Sequence, residues 1–243
     1  MSSSSSREPV AAVLSSAGEG MEAVEEALLW SPLAGRPVLA WSLQALVDVP
    51  HITQVTLLVT PGKVTAATEL VQSLSTRLGQ NIRVTSTPPA PAASGSLLAV
   101  VESLPPACRL VVIHHGNRPL VTAGSIALAI ATADKNPGSG VVATVHVNET
   151  IKRTHDHLVV ETPPRAGLLI LGTPQVFPRE ALLRAYQPHR AGKGGPAERL
   201  EPIQWALAGG MRFLPVTIPD GENLPITSKD DLLLAEALVE GSR

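Results

Sequence analysis

The sequence predicts an α/β domain built on a doubly wound, mostly parallel sheet. Three observations predict it. Short apolar runs of strand length alternate with stretches of helical spacing along nearly the whole chain, the pattern of βαβ units. The 243 residues are 44% hydrophobic and 16% charged, which fits one large domain with a sizeable core. The first apolar run, residues 9–15, ends in Ser-Ser-Ala-Gly-Glu-Gly, a buried strand running into a glycine-containing loop. The aromatic share is 2%, so Ala, Val, Leu and Ile must fill the core.

The elements follow in order. Residues 37–49 have helical spacing, with Pro37 at a first-turn position and Val38, Trp41, Leu43, Leu46 and Val47 as the apolar stripe. Residues 54–59 form a second strand, about 64–78 a helix and 82–86 a third strand. A Pro/Ala loop at 87–95 leads to a helix at 96–104 and a fourth strand at 110–114. Thr122 caps a helix over 123–133, and 140–147 is a fifth strand. Residues 150–162 break the rhythm: short β-like runs around Thr154, His155 and Asp156 predict a projecting hairpin. The sheet resumes at 167–171, helices follow at 178–186 and about 196–208, and 212–216 is a late strand. Ser228 and Asp231 open a terminal helix in capping-box fashion.

Composition excludes several classes. A net charge of -2 leaves no basic footprint for a nucleic-acid partner. No apolar run reaches the ~18 residues of a membrane span. The polar start lacks a signal-peptide core, so residues 1–8 read as a disordered tail, residues 9–243 as one domain, and the cytoplasm as its compartment. The single cysteine, Cys108, suits a reducing environment and reads as a small buried hydrophobe.

In doubly wound sheets, ligands bind at the carboxyl ends of the strands. That rim gathers Ser15 through Gly20, the Pro/Ala loop, and His114 through Pro119. Gly18 and Gly20 are placed to cradle phosphate on backbone N–H groups, or simply to turn the chain. Between Ser15 and Arg36 stand four acids (Glu19, Glu22, Glu25, Glu26) and one base, Arg36 itself. Adjacent strand residues point to opposite faces, so His114 and His115 do not suggest a shared metal site.

Six segments carry a family resemblance over about residues 9–241. They are Ala11-Ala12-Val13 with Ala17-Gly18-Glu19-Gly20; Gly35 through Leu43; Arg118-Pro119-Leu120-Val121; Glu149-Thr150-Ile151-Lys152-Arg153; Thr173-Pro174-Gln175-Val176-Phe177; and Asn223 through Thr227 with Asp231-Leu232. The chain resembles the 2-C-methyl-D-erythritol 4-phosphate cytidylyltransferases of isoprenoid biosynthesis. The resemblance implies a Rossmann-like domain of the nucleotidyltransferase type, with a β-arm over about 146–170 that clasps a second subunit into a homodimer. It implies CTP or a related nucleotide and a sugar-alcohol phosphate as substrates, Mg²⁺ as cofactor, and pyrophosphate as product.

Carried over residue by residue, the resemblance assigns Ala17, Gly18, Gly20, Ser96 and Arg118 to the nucleotide, and Thr150, Arg165 and Thr227 to the acceptor phosphate. It also exposes departures. The arginine and lysine that follow the glycine loop fall at Glu22 and at or within one residue of Leu29. The metal-binding aspartate falls at His115, and neutral imidazole is a poor ligand for Mg²⁺. An arginine falls at Ala93 and a lysine at Pro225. Bringing a phosphate dianion to a triphosphate demands positive charge, and one unit charge at ~4 Å is worth about 4 kcal/mol near a protein surface. Two readings follow: a cytidylyltransferase with eroded motifs and weak or absent activity, or a non-catalytic nucleotide-binding or regulatory partner of an active paralogue.

Overall fold

The computed structural model describes residues 9–16, 23–74, 81–86, 93–190 and 201–241, with backbone alone for 23–25, 93–96 and 188–190. The expected tail, the glycine loop at 17–22 and most of the Pro/Ala loop lie outside the described residues, as does the start of the helix expected from 196.

Seven strands form the main sheet: β1 (Val10–Ser15), β4 (Ile52–Val59), β5 (Ile82–Ser86), β6 (Leu110–His115), β7 (Gly140–His146), β10 (Leu169–Pro178) and β11 (Phe213–Thr217). Their order is β11-β7-β10-β6-β1-β4-β5. Only β10 runs antiparallel to its neighbours, β6 and β7. Of the two small hairpins, the first pairs β2 (Pro32–Leu33) with β3 (Arg36–Pro37), turning at Ala34 and Gly35 with φ of 48° and 89°. The second pairs β8 (Arg153–His155) with β9 (Leu158–Glu161), turning at Asp156 and His157 with φ of 46° and 64°, the two-residue left-handed geometry of tight hairpins. This is the hairpin expected at 150–162.

Burial follows from strand alternation. On β1, Val10, Ala12 and Leu14 join one apolar cluster, and Ala11 and Val13 the other, so the strand is covered on both faces and reads as a continuous apolar run. The first cluster packs under α1 (Ala23–Leu29), α2 (Val38–Val47), α3 (Val64–Ser73), α5 (Ala123–Lys135) and α8 (Lys229–Gly241). The second packs under α4 (Ala93–Ser103), α6 (Arg179–Arg190) and α7 (Pro202–Ala208), where Phe177 meets Phe213 edge to face at 5.6 Å.

The caps expected from sequence form. Thr122 Oγ1 accepts from the Ser125 N–H at 3.1 Å. Asp231 N–H donates to Ser228 Oγ at 3.2 Å while the Asp231 carboxylate accepts from the Ser228 N–H at 2.9 Å.

One strand departs from expectation. The sequence places a strand at 167–171 and a helix from 178, with Gly172 and Pro174 between them. Instead β10 continues through them to Pro178. It does so by a bulge: Leu171 pairs with Thr144 and Gln175 with Val142, so Gly172, Thr173 and Pro174 stand opposite Ala143 alone. A bulge tolerates proline and re-aims the side chains it carries.

Candidate functional site

The ends of β1 and β6 are zipped together where the rim begins. Ser15 lies opposite His115, and Gly116 N–H donates to the Ser15 carbonyl at 2.8 Å. Ser16 donates its N–H and its hydroxyl to the Leu58 carbonyl of β4, at 2.9 and 2.7 Å. The segment after β6 is tied to the rest of the fold: Ser42 Oγ donates to the Gly116 carbonyl at 2.9 Å, and Ile226 N–H to the Asn117 carbonyl at 2.7 Å.

The bulge in β10 brings Thr173 against this segment. Thr173 Oγ1 lies 2.8 Å from His114 Nδ1 and accepts from the His115 N–H at 3.3 Å. His114 Nε2 lies 3.2 Å from the Arg118 carbonyl. A carbonyl only accepts, so Nε2 carries the proton, Nδ1 is the acceptor, and the Thr173 hydroxyl donates to it. One neutral tautomer satisfies all three contacts. Burial, then the His115 charge, holds His114 down at about 3; burial and then Arg118 hold His115 at about 4. By alternation His114 shares the face of Leu110 and Val112, and His115 that of Val111 and Ile113. Mg²⁺ takes oxygen ligands. The rim offers neutral imidazole at 115, and no cluster of three His, Cys, Asp or Glu side chains fit to hold a metal occurs among the described residues. The described donors do not fit Mg²⁺.

Arg118 turns its guanidinium to Asn223. Nη1 donates to Asn223 Oδ1 at 2.8 Å and also to the Asn223 carbonyl. Burial pulls its pKa down, Glu201 opposing, and a guanidinium stays charged regardless. Two further cations lie over aromatic rings: Arg36 at 3.7 Å from the Trp41 centroid and Lys63 at 5.5 Å from that of Trp30.

The remaining candidates fall in three groups. Ala17, Gly18, Gly20 and Glu22 lie outside the described residues, and Ser96 is described only as backbone in the first turn of α4. Leu29, the last residue of α1, is fully buried in the core. Thr227 sits on the rim beside Asn117 through Ile226, but gives its N–H and hydroxyl to Asp231 Oδ2 at 3.0 and 2.9 Å. Burial raises the Asp231 carboxyl, yet the donors from Thr227 and Ser228 outweigh it and lower the pKa. Thr150 and Arg165 stand exposed on the arm. Arg165 Nη1 donates to the Asn148 carbonyl at 3.0 Å, and Asn148 Nδ2 to Asp220 Oδ2 at 3.1 Å, which links the base of the arm to the loop leading to Asn223. The structure therefore gathers His115, Arg118 and Thr227 and leaves Thr150 and Arg165 on the arm.

Thr173, Asn117 and Asn223 received no role from sequence, although two of them stand inside the quoted motifs. A separate apolar groove of about 630 Å³, lined by Trp41, Pro119, Leu120, Pro219 and Leu238 among others, contains none of the expected site residues.

The comparisons agree with this architecture. The family described as IspD: 2-C-methyl-D-erythritol 4-phosphate cytidylyltransferase matches residues 10–241. A 2-C-methyl-D-erythritol 4-phosphate cytidylyltransferase of Desulforamulus reducens is 35% identical over 235 residues, covering 95% of this chain and 96% of that protein. One from Cereibacter sphaeroides is 34% identical over 243 residues, covering 94% and 96%. Among solved structures, 4-diphosphocytidyl-2C-methyl-D-erythritol synthase of Anaerococcus prevotii superposes with a TM-score of 0.80 at 21% identity, covering 96% of each chain. The Thermus thermophilus cytidylyltransferase gives 0.68 at 22%, covering 94% and 98%. At such identities these two speak to the fold.

Proposed function

Because the chain belongs to the 2-C-methyl-D-erythritol 4-phosphate cytidylyltransferase family, we propose that it binds CTP and a sugar-alcohol phosphate along the carboxyl rim of its sheet, with a transfer step far slower than a cation-lined site achieves. The observation that carries this reading is Leu29. At the position where the resemblance puts a lysine, or next to it, stands an aliphatic side chain fully buried in the core. His115, in the place of a metal-binding carboxylate, is held neutral. Removing one preorganised charge-stabilising group from a transfer site costs roughly 10²–10³ in rate. Among the described residues of the rim, the Arg118 guanidinium supports binding of an anion more than its reaction.

The test is pyrophosphate release from CTP with 2-C-methyl-D-erythritol 4-phosphate and Mg²⁺, alongside a relative that keeps the arginine and lysine. The expected rate is at least ~100-fold lower. Turnover within tenfold of the relative overturns the proposal.

A second reading, a regulatory partner working through the arm, is favoured by one observation. Leu158, Val159 and Val160 of β9 are 69%, 65% and 56% exposed, and Ile170 of β10 is 50% exposed. Large apolar side chains exposed in this number on one hairpin and the strand that follows it mark an interface. We propose a homodimer formed through it, in the cytoplasm. No described helix is long and apolar enough to cross a membrane. Sedimentation alone and with an active relative separates self-association from pairing.

A further inference from the structure

We propose that Asn223 is a positioning residue for Arg118, and that Gly172 is the space that lets it act. The asparagine fixes the guanidinium at the end of β6 and leaves its charge available to the phosphates of a nucleotide. The proposal rests on the reading above that this rim binds CTP.

The geometry is that of a clamp. One nitrogen of Arg118, Nη1, is shared between the side-chain oxygen of Asn223 at 2.8 Å and the carbonyl of the same residue. Asn223 is 4% exposed. Its loop is anchored three residues on, where Ile226 N–H donates to the Asn117 carbonyl at 2.7 Å, the residue next to Arg118. Behind the amide stands Gly172. A Cβ at that position would lie 2.0 Å from Asn223 Oδ1 and 2.2 Å from Nδ2, so any other residue forces the asparagine out of its seat. The β10 bulge thus presents two devices side by side: Thr173 for His114, and an empty place at Gly172 for Asn223.

Charge explains why an amide suits this seat. A carboxylate would hold the guanidinium equally well and cancel its charge. Asn223 contributes only neutral acceptors, so the arginine is ordered before ligand arrives and still attracts an anion; prior ordering removes that cost from the binding step. The buried donors left unfilled among the described residues include Arg118 Nε and Asn223 Nδ2. Buried donors rarely stay without an acceptor, and both belong to the clamped pair.

Calorimetric titration of the full chain with CTP tests the proposal, using Arg118→Ala, Asn223→Ala, Gly172→Ala and the double variant N223A/R118A. Arg118→Ala is expected to weaken binding by roughly 10–100-fold, the range for a charged hydrogen bond. Asn223→Ala and Gly172→Ala should each reproduce most of that loss. The double variant should bind no more weakly than Arg118→Ala alone, a non-additivity that a merely structural asparagine would not give. If wild type binds CTP and Asn223→Ala binds equally well, or the losses add, the positioning role is overturned and the CTP reading stands. If wild type gives no heat at millimolar CTP, both fall. Should Asn223→Ala fail to fold, Gly172→Ala is read through the same cycle with Arg118→Ala. Failure of both to fold overturns the proposal, because the pair would then serve the fold.

Discussion

The Thr173 hydroxyl donates to the buried Nδ1 of His114 across 2.8 Å, and this contact joins the two central strands β6 and β10 at the point where the rim begins. Replacing Thr173 with Val keeps the shape and removes the donor. It also removes the acceptor for the His115 N–H. A buried polar group left unsatisfied costs about 1–3 kcal/mol. Urea unfolding of Thr173→Val should show a loss in that range, and an unchanged midpoint would contradict the contact.

Acid should destabilise the fold well above the range where carboxylates titrate. Burial, and then the neighbouring His115, depress His114 to about 3, whereas an unfolded histidine titrates near ~6.5. The unfolded chain therefore binds the proton first. The contribution of neutral His114 is complete above pH ~6.5 and is lost as pH falls toward 3, with a slope of up to about 1.4 kcal/mol per pH unit. His115 acts in the same direction. The stability that Asp231 gains from its lowered pKa is complete above pH ~4 and is lost only below it. Denaturation midpoints between pH 7 and 4.5 should fall for wild type and fall less steeply for His114→Gln, where His115 still contributes.

Restoring a lysine at Leu29 should fail. The position is fully buried, and an ammonium there has no described partner to offset its desolvation. Leu29→Lys is expected to lose roughly 3–5 kcal/mol, the range for an uncompensated buried charge, without gain in pyrophosphate release. A variant that gained activity at unchanged stability would mean that this side chain reaches the rim.

Charges on the arm should separate the subunits. Val159→Glu or Ile170→Glu places a carboxylate among the exposed apolar side chains, where desolvating it on association is unfavourable. Sedimentation at micromolar concentration should give a two-chain mass for wild type and a single-chain mass for either variant. A wild-type monomer would remove the dimer from the proposed function.

Much of the fold was legible because strand and helix periods differ. The strand limits at 82–86 match β5, and the residues around Asp156 make the hairpin they suggested. The failures share a cause. Pro37 reads as a first-turn residue but precedes α2, because Arg36–Pro37 is taken up in the β2–β3 hairpin, whose two-residue strands are too short to show a period. The strand read at 167–171 ends too early because sequence cannot reveal that a bulge carries it on through Gly172 and Pro174. At the site, Arg118 was legible through the resemblance, which assigned it to the nucleotide. Asn223 was not, since it lies 105 positions away and an asparagine carries no local sign that it will meet an arginine.

The bulge also divides the chain into a part whose length is free and a part whose length is fixed. Outboard of Leu169 the hairpin could gain or lose residues without disturbing the body. Between Leu171 and Gln175 the count is rigid. Strand side chains alternate, so one residue added or deleted there would rotate the remainder of β10 to its opposite face. The threonine would leave the imidazole, a side chain would come to occupy the glycine's place, and Val176 and Phe177 would exchange the two cores they now fill. Length variation among natural homologues should therefore concentrate in the arm and stop short of these three residues.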